Sequence, residues 1–213
     1  MYSAAESHNI IIRDIVRIGT MITQTAANIT EGLKNGDYAI FADSMEQLAI
    51  IDIDTNNINN KIVSAMPVFC KDDQIAREFV SYVRITAELI QIVYAMRYFC
   101  KNITDCINEE CYIALKENLS QLFQISVDAF AMAMGLIKNS SNIKSVFRMI
   151  KTEQTKCDEL LAQIEQNIIE FEFTANCIKI INISEKMGNI SKGAASMAKI
   201  MLLTQDGGKL RIY

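Results

Sequence analysis

Apolar residues recur at intervals of three and four along most of the chain, which is typical of amphipathic helices. The clearest run begins near Ile10 and ends near Leu33. Further runs of the same kind follow, and short polar breaks separate them. The pattern predicts six helices, at about residues 10–33, 38–66, 72–103, 112–138, 143–168 and 173–203.

The breaks between these stretches carry recognisable stop and start signals. Gly36 can adopt the left-handed conformation that ends a helix, and Asp37 can cap the next one. Pro67 is expected to end the second helix, because the residue before a proline avoids the helical region. Residues 204–209 are expected to form a turn after the last helix.

Few residues in the chain break helices, since it contains one proline and eight glycines among 213 residues. A many-stranded sandwich or barrel needs more turns than this. The pattern of long helices also recurs after a polar crossover near residue 106. We therefore predict an all-α fold of two tandem antiparallel three-helix bundles with spectrin-repeat-like up-down topology, residues 1–106 and 107–213. One continuous six-helix array is an alternative that the sequence leaves open.

The overall composition excludes several classes of protein. Half of the residues are hydrophobic, so the chain can bury a large core. The net charge of −4 gives no basic field for nucleic acid. No apolar stretch reaches the length of a membrane span, and the N-terminus does not resemble a signal peptide. These observations predict a cytoplasmic protein.

The chain offers little catalytic chemistry. There is a single histidine, His8, and no glycine-rich phosphate loop follows a strand. No serine or cysteine has a base that the sequence identifies, so we predict that the protein is not an enzyme. The six cysteines lack CxxC spacing and are expected to be buried, reduced thiols. A metal or redox role for Cys106 and Cys111, in the predicted crossover, is the alternative.

Three pairs of oxygen-bearing side chains are candidate ligands for a hard or borderline cation. Two of the pairs have the four-residue spacing that places both side chains on one helix face, and the third pair has a spacing of five. The candidate ligands are Asp52 with Asn56, Glu153 with Asp158, and Glu185 with Asn189. The alternative is that these residues form solvated helix faces or interhelical hydrogen bonds. Gly188, within the last pair, would let a helix or ligand approach closely.

Several segments of the chain resemble the PhoU family of phosphate-uptake regulators, over about residues 10–208. The stretch LKNGDYAIFADSMEQLAIIDIDTNNINNKI resembles the family's passage between its first two helices. Pro67, Asp72-Asp73 and Ala76-Arg77 resemble the entry to its third helix. Ala87-Glu88-Leu89 resembles the lead into the family's E-R-I-G-D box, and SEKMGNISKGAASMAKIML resembles the second copy of that box. The resemblance implies two tandem three-helix bundles.

The resemblance also implies metal-binding carboxylates, and here the sequence departs from the family. The second box keeps Glu185 but has Asn189 at the position of the aspartate. In the first box the two acids are replaced by Ile90 and Tyr94 in one register, or by Tyr94 and Tyr98 in the other. An uncharged residue cannot offset the charge of a cation, so the first site is expected to be lost. The resemblance implies that a divalent, iron or zinc cation at the second site would be held by a degenerate ligand set, which consists of Glu153, Asp158, Glu185 and Asn189.

The resemblance implies a function in regulation. Family members act as adapters between the ATPase subunit of a phosphate transporter and a sensor histidine kinase. We therefore expect a non-enzymatic negative regulator of phosphate uptake and signalling, peripheral to the membrane through its partners, that forms a homodimer. An accessory of a secondary phosphate carrier is the alternative within regulation. A metal-binding or storage bundle is the alternative from another class.

Overall fold

The computed structural model describes residues 4–69, 73–139, 142–171 and 174–206, and these ranges contain six long helices and no strand. The all-α prediction is therefore confirmed. The helices are α1 Ala4–Asn35, α2 Ala39–Phe69, α3 Asp73–Ile103, α4 Glu110–Lys138, α5 Ile143–Ile168 and α6 Ala175–Asp206.

The turn between α1 and α2 forms as the sequence predicts. Gly36 has a φ of 71°, the left-handed conformation that glycine adopts without steric cost. The backbone N–H of Asp37 donates to the Gly32 carbonyl at 3.1 Å. The Asp37 carboxylate then accepts a hydrogen bond from the backbone N–H of Ala39 at 3.2 Å, which caps α2.

Two predicted helix ends are wrong. Pro67 lies inside α2, which continues to Phe69. A proline inside a helix loses its own N–H bond and crowds the carbonyl four residues earlier, but the residues after it keep their N–H groups, so the helix can continue past it. At the other end of the chain, α6 continues to Asp206, beyond the turn predicted from residue 204. The remainder of that predicted turn, residues 207–209, lies outside the described residues.

The helices pack as two groups of three. In the first group α1 and α3 both lie against α2, and α1 also contacts α3. In the second group α4, α5 and α6 all contact one another. The two groups then meet along α3 with α6 and along α1 with α4. The predicted boundary between residues 106 and 107 lies in the crossover from α3 to α4 and stays a prediction.

One continuous hydrophobic core runs through both groups of helices. Leu89 of α3 and Leu160 of α5 are buried, as the apolar pattern predicts. Phe99 of α3 stacks on Phe123 of α4, with ring centroids 5.3 Å apart, so the two groups share aromatic packing.

Two helices are long and apolar enough to cross a membrane by length and composition alone. They are α3 over Ile75–Ile103 and the whole of α4, Glu110–Lys138. In each, however, 56% of the most apolar window is buried inside the protein. Their apolar residues therefore serve the core of the helical assembly.

Candidate functional site

A polar groove of about 330 Å³ runs between α3 and α6, where the two groups of helices meet. We call it the α3–α6 groove. Its polar lining on α3 includes Glu88, Gln91 and Tyr94. Its polar lining on α6 consists of Lys186, Asn189, Lys192 and Ser196.

The sequence of α6 explains why this groove forms. Asn189, Gly193 and Ser196 are spaced by four and three, so they lie on one face of the helix. Gly193 allows a close approach, because a Cβ atom there would lie 3.1 Å from the side chain of Ile92 on α3. The Ser196 hydroxyl donates to the Glu88 carboxylate at 2.5 Å. The small residue thus sets the helices close together, and the hydrogen bond joins them across the groove.

Lys186 occupies the same groove and lies over two tyrosine rings of α3. Its ammonium nitrogen is 5.3 Å from the ring centroid of Tyr94 and 5.8 Å from that of Tyr98. This is the geometry of a cation–π interaction. Lys186 belongs to the segment that resembles the second E-R-I-G-D box. In one alignment of the first box, Tyr94 and Tyr98 stand where the family has acids. The two box segments therefore face each other across the groove.

The groove presents hydrogen-bond donors and positive charge. Lys186 and Lys192 carry ammonium groups, and the Asn189 amide supplies both a donor and an acceptor. Glu88 contributes a carboxylate that is already hydrogen bonded to Ser196. Such a lining suits contact with a polar or acidic group, because the two lysines outnumber the one carboxylate.

The first pair of predicted metal ligands is held by an arginine. One oxygen of Asp52 lies 2.7 Å from the guanidinium of Arg97 on α3. The other oxygen accepts a hydrogen bond from the Asn56 amide at 3.0 Å. The neighbouring Asp54 pairs with Arg17 of α1 at 2.9 Å. The acidic stretch of α2 therefore links to both of its neighbouring helices through ion pairs.

The other predicted ligands lie on α5 and α6. Glu153 pairs with Lys156 on its own helix at 2.8 Å. Asp158 is exposed on α5, and Glu185 is exposed on α6. Within residues 4–69, 73–139, 142–171 and 174–206, no three His, Cys, Asp or Glu side chains are placed to hold a cation together. The described residues therefore do not fit a metal cluster. Metal binding at these positions stays a prediction.

Gly188 does what its position in the sequence predicts. A Cβ atom at this residue would lie 2.6 Å from a methyl carbon of Leu161 on α5. The glycine therefore allows α5, rather than a ligand, to approach α6.

Sequence reasoning missed most of the α3–α6 groove. Asn189 is the only predicted metal ligand that lines the groove. Glu88 was singled out only because Ala87-Glu88-Leu89 resembles a family segment. The polar face of α6 carried a signal, since Asn189, Lys192 and Ser196 recur at intervals of three and four, as residues on one helix face do. Nothing in the sequence, however, paired that face with α3.

Comparison with solved structures supports the resemblance at the level of the fold. The phosphate transport system regulatory protein PhoU from Streptococcus pneumoniae superposes with a TM-score of 0.80 and 13% identity, over 97% of this chain and 98% of that one. Two structures of PhoU-like proteins from Shewanella oneidensis MR-1 give TM-scores of 0.69 and 0.71 at 11% identity, over 92% of this chain and 99% of theirs.

These structures define the class of fold, that of PhoU-type tandem three-helix bundles. Among such proteins the chain is similar in particular to the pneumococcal PhoU, which it matches along nearly its whole length. No protein-family model and no curated protein sequence matches the chain.

Proposed function

We propose that this chain is a non-enzymatic regulator of phosphate transport. The observation that carries the proposal is the match of its fold to the phosphate transport regulatory protein PhoU of S. pneumoniae over 97% of this chain. A likeness of that extent includes both groups of helices and the packing between them. It therefore supports a role for the whole assembly rather than for one half.

The regulator acts by binding other proteins through its helical surface. Its partners in this proposal are the ATPase subunit of a phosphate transporter, or a phosphate carrier, and a sensor histidine kinase. Binding that favours one conformation of a partner shifts that partner's equilibrium by the difference in affinity. In this proposal the protein is cytoplasmic, acts as a homodimer and reaches the membrane only through its partners.

Deletion of the gene in its source organism tests the proposed role in regulation. A negative regulator restrains uptake, so we expect the deletion strain to take up labelled inorganic phosphate faster than the parent in phosphate-rich medium. Re-expression of the wild-type chain should restore the parental rate. The matched control is a Leu89→Asp variant, which is expected to unfold and should fail to restore it. An unchanged uptake rate in the deletion strain would contradict the proposal.

A second experiment tests the proposed partners. The tagged chain is captured from its own cells grown with and without phosphate, and the bound proteins are identified by mass spectrometry. We expect a phosphate transporter subunit or carrier, a sensor kinase, or both. Recovery of proteins unrelated to phosphate transport and signalling would argue against this function. Light scattering of the purified chain tests the homodimer, because a monomer at micromolar concentration contradicts it.

A further inference from the structure

The α3–α6 groove carries two lysines whose charges are not offset by neighbouring acids. Lys186 and Lys192 both line the groove, and their backbones are about 9 Å apart along the axis of α6. Among the residues that the structure describes, neither ammonium forms an ion pair with an aspartate or a glutamate. The groove therefore presents two positive charges that can bind an anion.

The position of the Lys186 ammonium is set by the tyrosine rings of α3. Its nitrogen lies 5.3 Å from the ring centroid of Tyr94 and 5.8 Å from that of Tyr98. The ring faces attract the charge but offer no oxygen acceptor, so N–H groups of the ammonium stay available for hydrogen bonds. Lys186 is thus a donor that is already in place before any ligand arrives.

Neutral donors line both walls of the groove. Gln91 of α3 and Asn189 of α6 each contribute a side-chain amide. The cavity of about 330 Å³ lies at the small end of the range for ligand sites, which fits a small ion better than a large metabolite. An anion in the groove can therefore receive hydrogen bonds from both helices.

One carboxylate lines the same groove and restricts which anion fits. The Oε1 atom of Glu88 accepts a hydrogen bond from the Ser196 hydroxyl at 2.5 Å. The Oε2 atom lies on the side of Gly193, 3.6 Å from the position that a Cβ atom would take there. No donor in the described part of the chain is bonded to Oε2. Because Gly193 has no side chain to cover it, this oxygen can accept a hydrogen bond from a ligand.

We propose that the α3–α6 groove binds inorganic phosphate, with Lys186 and Lys192 offsetting its charge and Glu88 accepting a hydrogen bond from its P–OH group. Near neutral pH inorganic phosphate keeps at least one proton, so it is both a donor and an acceptor. Sulfate has no proton, and a phosphomonoester loses its last one near pH 6, at about the second pKa of a phosphorylated side chain. Either of these ions would place an unprotonated oxygen against the Glu88 carboxylate, which is unfavourable.

This inference deepens the proposed function, and its biological meaning rests on that function. A regulator of phosphate transport that binds phosphate can respond to the concentration of the ion whose uptake it controls. The groove is formed by α3 of the first group of helices and α6 of the second, so a bound ion contacts both groups. Binding to the folded state then stabilises the packing between them.

Calorimetric titration of the full-length chain tests the proposal. The titrants are potassium phosphate, potassium sulfate and glycerol 3-phosphate, at about pH 8, where the ester carries no proton, and at constant ionic strength. We expect one phosphate per chain, bound about tenfold or more tightly than either of the other ions, because only phosphate pairs with Glu88. No binding of phosphate, or equal affinity for phosphate and sulfate, would overturn the proposal.

Substitutions of the lysines test where the ion binds. Lys186→Gln and Lys192→Gln should each weaken the binding of phosphate and of sulfate by about the same factor, because a positive charge attracts both ions. Lys199→Gln is the matched control, since Lys199 is exposed on the same helix and does not line the groove. It should leave the affinity for phosphate unchanged. Wild-type affinity in Lys186→Gln would show that the ion binds elsewhere.

Glu88→Gln tests the selectivity. The glutamine carbonyl can still accept the hydrogen bond from Ser196, while its amide N–H replaces the acceptor that faces the ligand. We expect this variant to bind sulfate more tightly than the wild type does and to lose the preference for phosphate. A structural defect would instead weaken both ions, and thermal melts by circular dichroism check that each variant is folded. A preference for phosphate that survives in Glu88→Gln would contradict the assigned role.

Failure of this inference and failure of the proposed function give different results. A wild-type chain that binds no phosphate would remove the site, even if the deletion strain takes up phosphate faster than its parent. A chain that binds phosphate with the expected preferences would keep the site, even if deletion leaves uptake unchanged. The calorimetric titration and the uptake assay therefore decide the two proposals separately.

Discussion

Individual side chains in the core carry much of the stability of this fold. Leu89 is 0% exposed and Leu160 is 7% exposed, each inside the shared core. An aspartate in either position would place a charge among apolar side chains without a partner. Burial of an unpaired charge is among the few single changes that cost more than about 4 kcal/mol.

We therefore expect Leu89→Asp and Leu160→Asp to unfold the protein or to lower its Tm severely. Ile53→Asp is the matched control, because Ile53 is 63% exposed on α2 and its replacement should change the free energy of unfolding by less than about 0.5 kcal/mol. Thermal melts followed by circular dichroism measure all three. A wild-type Tm for either variant would show that the leucine replaced in it does not pack in the core.

Buried thiols and phenols predict a loss of stability at alkaline pH. Burial raises the pKa of the Cys100 thiol from 9.0 to about 12. Burial, followed by the charge of Glu78, also raises the pKa of Tyr82. The unfolded chain loses these protons at lower pH than the native protein does. Their stabilising contribution is therefore complete below about pH 9 and falls as the pH rises toward 12.

Urea unfolding at about pH 8 and pH 10.5 measures this effect. We expect a smaller free energy of unfolding at the higher pH, with a slope of up to about 1.4 kcal/mol per pH unit for each group. Cys100→Ala removes one of these groups, so the difference between the two pH values should shrink in that variant. An equal stability at both pH values would contradict the burial of these groups.

At the scale of the helix, the sequence predicted most elements and missed features that depend on neighbours. The spacing of apolar residues and the Gly36-Asp37 signal predicted the end of α1 and the start of α2 closely, whereas α1 begins at Ala4 rather than near Ile10. Pro67 misled because a proline can kink a helix instead of ending it, and α2 continues for two residues beyond it. The pairing of Lys186 with Tyr94 could not be predicted, since it depends on the packing of α3 against α6.

The turn between α1 and α2 provides a test at this scale. Gly36 has a φ of 71°, and the nearest neighbour that a Cβ atom there would meet is the Lys116 ammonium at 3.9 Å, so only the backbone conformation restricts substitution. We expect Gly36→Ala to reduce the free energy of unfolding by about 1 kcal/mol. Gly36→Asn should cost less, because asparagine tolerates the left-handed conformation. Equal stability of the alanine variant and the wild type in urea would contradict this account.

The contact between α5 and α6 gives a second test. Gly188→Ala would force Leu161 out of its packed position, whereas Gly135 of α4 has no atom within 4 Å of its added Cβ. Alanine favours a helix over glycine by about 1 kcal/mol at either position. We therefore expect Gly135→Ala to stabilise the protein, and Gly188→Ala to be less stable than Gly135→Ala by at least about 1 kcal/mol. Similar urea midpoints for the two variants would show that Leu161 can move away from the added methyl group without loss of stability.

At the scale of the whole molecule, the two groups of helices are joined by core packing. Gly193 of α6 packs against Ile92 of α3, and Phe99 stacks on Phe123 across the groups. The repeat of three long helices predicted two bundles, but the sequence could not show how they share a core. That information lies in contacts between α3 and α6, which are far apart along the chain.

This shared core predicts cooperative unfolding. We expect a single transition in urea, with the same midpoint by circular dichroism and by tyrosine fluorescence, because neither group can expose its half of the core alone. Leu160→Asp, in α5, should accordingly also remove the helical signal of α1–α3. Two separate transitions, or a first group of helices that survives in Leu160→Asp, would show that the bundles are independent.

The tyrosine beneath Lys186 offers a practical consequence, because the chain contains no tryptophan. Tyr94 is 53% exposed and lines the α3–α6 groove. The substitution Tyr94→Trp would therefore place the only tryptophan fluorophore of the protein in this groove. The ammonium group above it and any molecule entering beside it would alter the wavelength and yield of that emission. A single substitution would thereby make the interface between the two groups of helices a fluorescent sensor of binding in the groove.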